Sequence, residues 1–234
     1  MTVDLLLSSG FLAFGRQAGF LQAVEERGLT VEAIVGTSSG ALAGSLWAAG
    51  WSAQDLFQAL TERLPLASVR PSATPWRGLL SMRAVIADLE RRVPARFEDL
   101  ERPFAVGVMT PDGGHRLIQS GPLAPAVAAS CAIPRLFSPV PIDGVLCADG
   151  GFTDRIGARA WRAWRGERKA VVHMVDRSGG SDADPGVDGL VVVRTPRSFA
   201  RLWDLGDVEA RFEEARRLTH DILDTISLQE AEKG

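Results

Sequence analysis

Ser38 stands in the run Gly36-Thr37-Ser38-Ser39-Gly40, and this Gly-x-Ser-x-Gly spacing is the first feature that could do chemistry. A serine hydroxyl attacks an acyl carbon when it is held exposed and something takes its proton. A sharp turn from strand to helix gives that exposure. Residues two places to either side must then lack side chains, so that the turn can close and a substrate can approach. Gly36 and Gly40 meet this requirement. The pattern alone is weak, since an ordinary Gly-rich turn between strand and helix looks the same. Context strengthens it: the apolar run Val31–Val35 leads in, and the small, helix-favouring run Ala41–Ala49 leads out.

The usual proton acceptor for such a serine is histidine, and the chain has three. His115 lies beside a predicted hairpin turn, His173 inside a predicted strand, and His220 in a C-terminal helical segment. None occupies a loop of the kind that presents a general base. Asp149 is better placed. It ends the apolar run Val145–Ala148 and is followed by Gly150-Gly151, so it projects from a strand end with open backbone around it. Active sites of α/β sheets collect at the C-terminal ends of strands. The ordinary alternative for Asp-Gly-Gly is a hairpin turn. The separation of Ser38 and Asp149 lets the two come from different strands of one sheet.

The elements that must position these residues follow from periodicity. Val3–Leu7 reads as a buried strand, Arg16–Arg27 as a helix stopped by Gly28, and Val31–Val35 as a second strand. With Ala41–Ala49 this is β-α-β-α, which argues for an α/β fold with parallel strands. Trp51–Leu64 and Met82–Arg92 read as helices, separated by the Pro-rich connection Pro65–Gly78. Phe104–Met109 and His115–Gln119 form a hairpin about Pro111-Asp112-Gly113-Gly114. Leu123–Cys131 is a helix of small residues. Ala170–Val175 and Leu190–Val193 are further strands, joined by a loop over 178–188, and residues 199–231 read as a C-terminal helical segment.

Composition sets outer bounds. A chain of 234 residues with 46% hydrophobic and 24% charged residues can bury one sizeable core, so residues 1–234 read as a single domain. The net charge of −3 supplies no basic field to draw nucleic acid. Cys131 and Cys147 have no metal-ligand spacing; a single disulfide is open to them, and a reduced chain is the simpler reading. No metal or cofactor is expected. The opening residues lack the basic region of a secretion signal, so a cytoplasmic location is expected. Ala33–Gln54 and Leu117–Pro134 carry no charge, but their glycines, serines and prolines make them buried core rather than membrane spans.

Several motifs together resemble the patatin-like phospholipases. They are the Gly-Thr-Ser-Ser-Gly-Ala-Leu core of Val31–Ala49, Ala128-Ala129-Ser130-Cys131-Ala132-Ile133-Pro134, Phe137-Ser138-Pro139-Val140 and Asp149-Gly150-Gly151. Gly78-Leu79-Leu80-Ser81 and Phe97-Glu98-Asp99-Leu100 also match, in family order, over roughly residues 3–176. The resemblance implies a three-layer α/β/α fold around a mainly parallel sheet. It implies a Ser38–Asp149 dyad without histidine, in which Asp149 accepts the serine proton and Ser38 carries an acyl-enzyme. The substrate so implied is a lipid or acyl ester; peripheral contact with a membrane surface stays open.

The chain departs from that family in its first loop. Patatin-like enzymes carry a Gly-Gly-Gly-x-Arg/Lys-Gly stretch whose backbone N–H groups form an oxyanion hole; here the run is Ser9-Gly10-Phe11-Leu12-Ala13-Phe14. Gly10 and Phe11 remain as donors, with Ser39 assisting, and Arg16 is a candidate replacement for the missing basic residue. Phe11 and Phe14 either narrow the pocket or pack in the core. Arg159–Lys169, with Trp161 and Trp164, is either a lipid-surface anchor or a helix packing its tryptophans on the sheet. Three functional readings stay open. They are a dyad hydrolase, a Ser-His-Asp hydrolase based on His173 or His220, and a silent binding or regulatory module that has lost its oxyanion loop.

Overall fold

The computed structural model describes residues 2–62, 64, 69–177 and 187–231, with residues 226–231 as backbone only. β1 (Thr2–Leu7), α1 (Phe14–Glu26), β2 (Thr30–Thr37) and α2 (Ser39–Ala48) follow the expected β-α-β-α order. β1 and β2 are parallel neighbours, with Leu5 opposite Ile34 and Leu7 opposite Gly36. α3 (Ala53–Thr61), β3 (Arg70–Pro71), β4 (Gly78–Ser81) and α4 (Arg83–Leu89) come next. α3 starts two residues after Trp51 because the Ser52 side chain accepts the Asp55 N–H at 3.1 Å and caps the helix there.

β5 (Phe104–Met109) and β6 (His115–Ile118) are the expected antiparallel hairpin. After α5 (Leu123–Ser130) the chain makes three short strands: β7 (Arg135–Phe137), β8 (Val140–Ile142) and β9 (Val145–Asp149). α6 (Ala158–Arg165), β10 (Ala170–Val175), β11 (Leu190–Thr195) and α7 (Val208–Ala231) complete the order. Residues 178–186, most of the expected 178–188 loop, lie outside the described residues, as do residues 63 and 65–68. The C-terminal helix begins at Val208 rather than at Phe199. Asp207 accepts the Ala210 N–H at 2.9 Å and sets that start, while Arg201 and Asp204 pair their backbones in a turn before it.

The central sheet has eight strands and runs β11-β10-β1-β2-β5-β9-β8, with β6 also on β5. Its first five strands are parallel; β6, β8 and β9 pair antiparallel. A second sheet of three strands, β3-β4-β7, stands apart. Strand side chains alternate between faces, and here both faces are buried. Leu5, Leu7, Ile34, Phe104 and Val106 join a core with residues of α1, α2, α5 and α7. Leu6, Val35, Ala105 and Val172 join a second core with Ala158 and Trp161 of α6. The sheet is therefore covered by helices on both sides, which is why its strands read as apolar runs.

α6 settles the meaning of the Arg/Trp segment. Trp161 is fully buried, and its indole N–H donates to Asp4 Oδ2 at 2.9 Å. Arg165 pairs with Asp4 and Glu32, and Arg168 pairs with Glu32. Trp161 packs on the sheet, Trp164 is partly buried against the same core, and Arg165 and Arg168 pair with strand carboxylates, which favours the packing reading of this helix. Among the described residues no helix is long and apolar enough to cross a membrane. Both cysteines are free thiols.

Candidate active site

β2 carries the chain to the C-terminal end of the parallel strands, and Ser38 follows as the cap of α2 with φ +55° and ψ −119°. A non-glycine residue at positive φ is strained by about 1–2 kcal/mol and persists only where its surroundings hold it. They do so here. The Ser38 N–H donates to Ser130 Oγ at 2.8 Å, and the Ser130 hydroxyl donates to the Gly107 carbonyl at 2.7 Å. The Ser38 carbonyl accepts from Ala41 N–H at 2.9 Å, Leu42 N–H at 3.1 Å and the Cys131 thiol at 3.2 Å. The flanking glycines are required by close approach. A Cβ on Gly40 would stand 2.3 Å from the Leu7 carbonyl oxygen, and one on Gly36 would stand 2.5 Å from the Gly40 carbonyl oxygen. Neither backbone atom can yield.

The Ser38 hydroxyl donates to Asp149 Oδ2 at 2.8 Å across 111 residues of chain. Asp149 ends β9, but β9 runs against β5 and overlaps only its last residues, Val108 opposite Asp149 and Met109 opposite Ala148. The carboxylate thus reaches the strand ends from the outer side of the sheet. Its other oxygen accepts the Gly151 N–H at 2.8 Å, and Gly150 is buried in the short turn that follows. Burial pushes the Asp149 carboxyl up to about 6, against the opposing pull of the Gly151 N–H, the Ser38 hydroxyl and the Arg155 charge. A carboxylate with a pKa there can accept a proton and return it near neutral pH.

The first loop lies beside this pair. Gly10 and Phe11 line a cavity with Ser38, Asp149 and Gly151. Neither the Gly10 nor the Phe11 N–H has an acceptor among the described residues. Ser39, as the first residue of α2, has an N–H with no intrahelical partner. Arg16 does not replace the missing basic residue: it is buried and pairs with Glu214 of α7 at 2.8 Å. Arg155 is the cation whose charge acts on Asp149. Its Nε donates to Ser9 Oγ at 3.0 Å, and its terminal nitrogen donates to the Ser9 carbonyl at 2.6 Å and to the Val175 carbonyl. Nothing in the local sequence around Arg155 signals this grip on a loop 146 residues away.

Among the described residues no histidine makes a hydrogen bond to Ser38 or Asp149, although His115 Nε2 lies with Thr37 Oγ1 against Gly107, beside the turn. His173 is fully buried, stacked on Phe20, with its ring nitrogens 2.7 Å from Gln17 Oε1 and 2.9 Å from Thr195 Oγ1. Gln17 Nε2 donates to the Ser8 carbonyl, so its oxygen faces the ring and Nδ1 carries the proton. Burial, aided by the Arg16 charge, lowers the His173 pKa to about 3. His220 contacts Glu26 and Arg27 at the far end of α1. Burial also lowers the His115 pKa, and its Nε2 has no partner among the described residues.

Two cavities meet at Ser38, with Phe11 and Ile133 shared between them. One, of about 490 Å³, is lined by Leu12, Phe14, Leu42, Leu60, Met82 and Leu89 among others. The other, of about 610 Å³, is the more polar of the two and holds Arg155, Asp176, Arg177, Arg197 and Arg201 beside the dyad. Phe14 is thus both a core residue and a wall of the apolar cavity, while Phe11 is 46% exposed at the entrance. Such a site can attack an acyl carbon whose chain lies on one side and whose leaving group lies on the other.

A family model described as patatin-like phospholipase matches residues 5–160. Uncharacterized NTE family proteins of Mycobacterium bovis and Mycobacterium tuberculosis are each 31% identical over 214 residues, covering 87% of this chain. The chain spans 58% of the length of those relatives. Among solved structures, VipD from Legionella pneumophila superposes with a TM-score of 0.59 at 15% identity, covering 95% of this chain and 67% of that one. ExoU of Pseudomonas aeruginosa, solved with SpcU, gives 0.53 at 15% identity, covering 97% and 52%. These structures share the fold, and the match over residues 5–160 carries the assignment: the chain belongs to the patatin-like phospholipase family.

Proposed function

We propose that this chain is a lipid acyl hydrolase working through Ser38 and Asp149. Asp149 takes the hydroxyl proton as Ser38 Oγ bonds to the acyl carbon. The oxyanion that forms faces the N–H groups of Gly10, Phe11 and Ser39. Collapse breaks the ester bond, and Asp149 returns the proton to the departing alcohol. Water then attacks the acyl-enzyme and gives its proton to Asp149, and Asp149 passes that proton to Ser38 Oγ as the Oγ–acyl bond breaks and the acid leaves. The apolar cavity fits the acyl chain, and the polar cavity fits the alcohol half.

One observation carries this reading: a strained serine whose hydroxyl donates to a buried carboxylate at 2.8 Å, at the junction of two cavities. The test is a panel of p-nitrophenyl esters of increasing chain length and of phospholipids, run on wild type, Ser38→Ala and Asp149→Ala. Loss of the nucleophile lowers turnover on the order of 10⁴–10⁶-fold. A fluorophosphonate probe labels wild type and not Ser38→Ala. No labelling of wild type at any pH would favour the silent module and defeat the proposal.

A further inference from the structure

The polar cavity opens among exposed aromatics. Phe11, Phe152 and Phe199 line it and are 46%, 63% and 62% exposed; Trp203, close by in sequence to Phe199, is 61% exposed. Phe199 and Trp203 belong to the segment between β11 and α7, which is anchored from beneath. Ala200 and Leu205 are buried against Phe14, and Ser198 Oγ donates to the Phe11 carbonyl. Arg201 and Asp204 exchange backbone hydrogen bonds, fixing the turn that carries Trp203. Phe199 itself sits at φ +53°, a conformation an aromatic residue rarely takes. Strain and tertiary anchors therefore hold two large rings out in water, where a flexible loop would fold them down.

Each ring has a guanidinium beside it: Arg197 lies 4.1 Å from the Phe199 centroid and Arg201 lies 6.0 Å from that of Trp203. The cavity lining holds four arginines, Arg155, Arg177, Arg197 and Arg201, against two aspartates, Asp149 and Asp176. A chain of net charge −3 thus concentrates positive charge around this opening. Aromatic rings at headgroup depth with basic groups among the phosphates form the pairing that binds an anionic lipid surface.

We propose that Phe199, Trp203 and the Phe152 turn form a docking face for an anionic lipid surface, with Arg197 and Arg201 supplying the charge preference. Phe152 and Phe199 of this face line the polar cavity, so docking sets the mouth of the Ser38 site against the lipid. The purpose of the face rests on the hydrolase reading above, but its test does not. α6, with Trp161 fully buried and Trp164 partly buried against the sheet, takes no part.

The test is co-sedimentation of the full chain with vesicles of phosphatidylcholine alone or mixed with phosphatidylglycerol. Wild type partitions onto the mixed vesicles more than onto the neutral ones. Trp203→Ala lowers that partition about tenfold, and adding Phe199→Asn, which suits the backbone at positive φ, lowers it about tenfold again. Arg197→Gln with Arg201→Gln removes the preference for anionic vesicles. Circular dichroism confirms that each variant folds, and Trp203→Ala keeps wild-type turnover of a soluble short-chain ester. Absence of wild-type binding, or unchanged binding of the double aromatic variant, overturns the proposal. Such results would point instead to a second copy or a further protein segment covering the face. Binding that persists without turnover of any ester would sink the hydrolase reading and leave the docking face standing.

Discussion

The Ser38 amide donates to the Ser130 hydroxyl at 2.8 Å, so a side chain of α5 holds the backbone of the turn that follows β2. The Ser130 hydroxyl in turn donates a hydrogen bond to the Gly107 carbonyl of β5, tying the turn to a third element. Ser130→Ala leaves a buried N–H and a carbonyl without partners, a loss of about 1–3 kcal/mol. Urea denaturation is expected to show that loss. Turnover falls with little change in KM, because the slackened turn misaims Oγ without touching the acyl cavity. Unchanged stability and kcat would show that the tether contributes nothing.

In the proposed mechanism the Asp149 carboxyl, pushed up to about 6 by burial, must be ionised to accept the Ser38 proton. Rate should therefore rise about tenfold per pH unit below 6 and level off above it. The stability effect has the opposite sense. A carboxyl that holds its proton more tightly when folded than at its unfolded pKa of 3.8 loses stability as pH rises from 4 to 6. The loss is roughly 3 kcal/mol once Asp149 is fully ionised. Asp149→Asn removes turnover together with this penalty. It should unfold several degrees above wild type at pH 8, with the gap narrowing towards pH 4. A variant no more stable than wild type at pH 8 would contradict the buried-carboxylate account.

His173, neutral down to about pH 3 and bonded to Gln17 and Thr195, supports the fold rather than the proton transfer. His220→Ala should turn over substrate at close to the wild-type rate. His173→Ala leaves Gln17 and Thr195 without their buried partner and loses about 1–3 kcal/mol of stability. Its folded fraction should keep the same acid limb near pH 6. Disappearance of that limb in a folded His173 variant would make His173 the base.

Much of this arrangement was legible from residue spacing. Gly36-Thr37-Ser38-Ser39-Gly40 between an apolar run and a small-residue run defined the turn, and Pro111-Asp112-Gly113-Gly114 defined the β5–β6 hairpin. β7 was not legible, since a three-residue strand such as Arg135–Phe137 exists only by pairing with β4, far away in the chain; β8 pairs locally with β9 about Asp143-Gly144, a turn signal that the sequence did carry. The start of α7 had a readable signal in Gly206-Asp207, outweighed by the helical look of Leu202 and Trp203. The parts joined through space, Ser130 beneath Ser38 and Arg155 on Ser9, leave no periodic trace at all.

Arg155 couples two functions that can be separated. Its fork holds Ser9, and hence the proposed Gly10–Phe11 oxyanion donors, while its charge keeps the Asp149 pKa from rising further. Arg155→Met removes both: the acid limb should move above pH 6, and kcat should fall about 10²-fold as the donors lose their aim. Arg155→Lys restores the charge without the two-nitrogen fork. Its limb should return to about 6 while kcat stays low. A lysine variant that recovers full kcat would show that charge alone matters. A methionine variant with its limb unmoved would show that the guanidinium does not act on Asp149. Only the split outcome, limb restored and rate not, supports a cation that both aims the oxyanion donors and tunes the base.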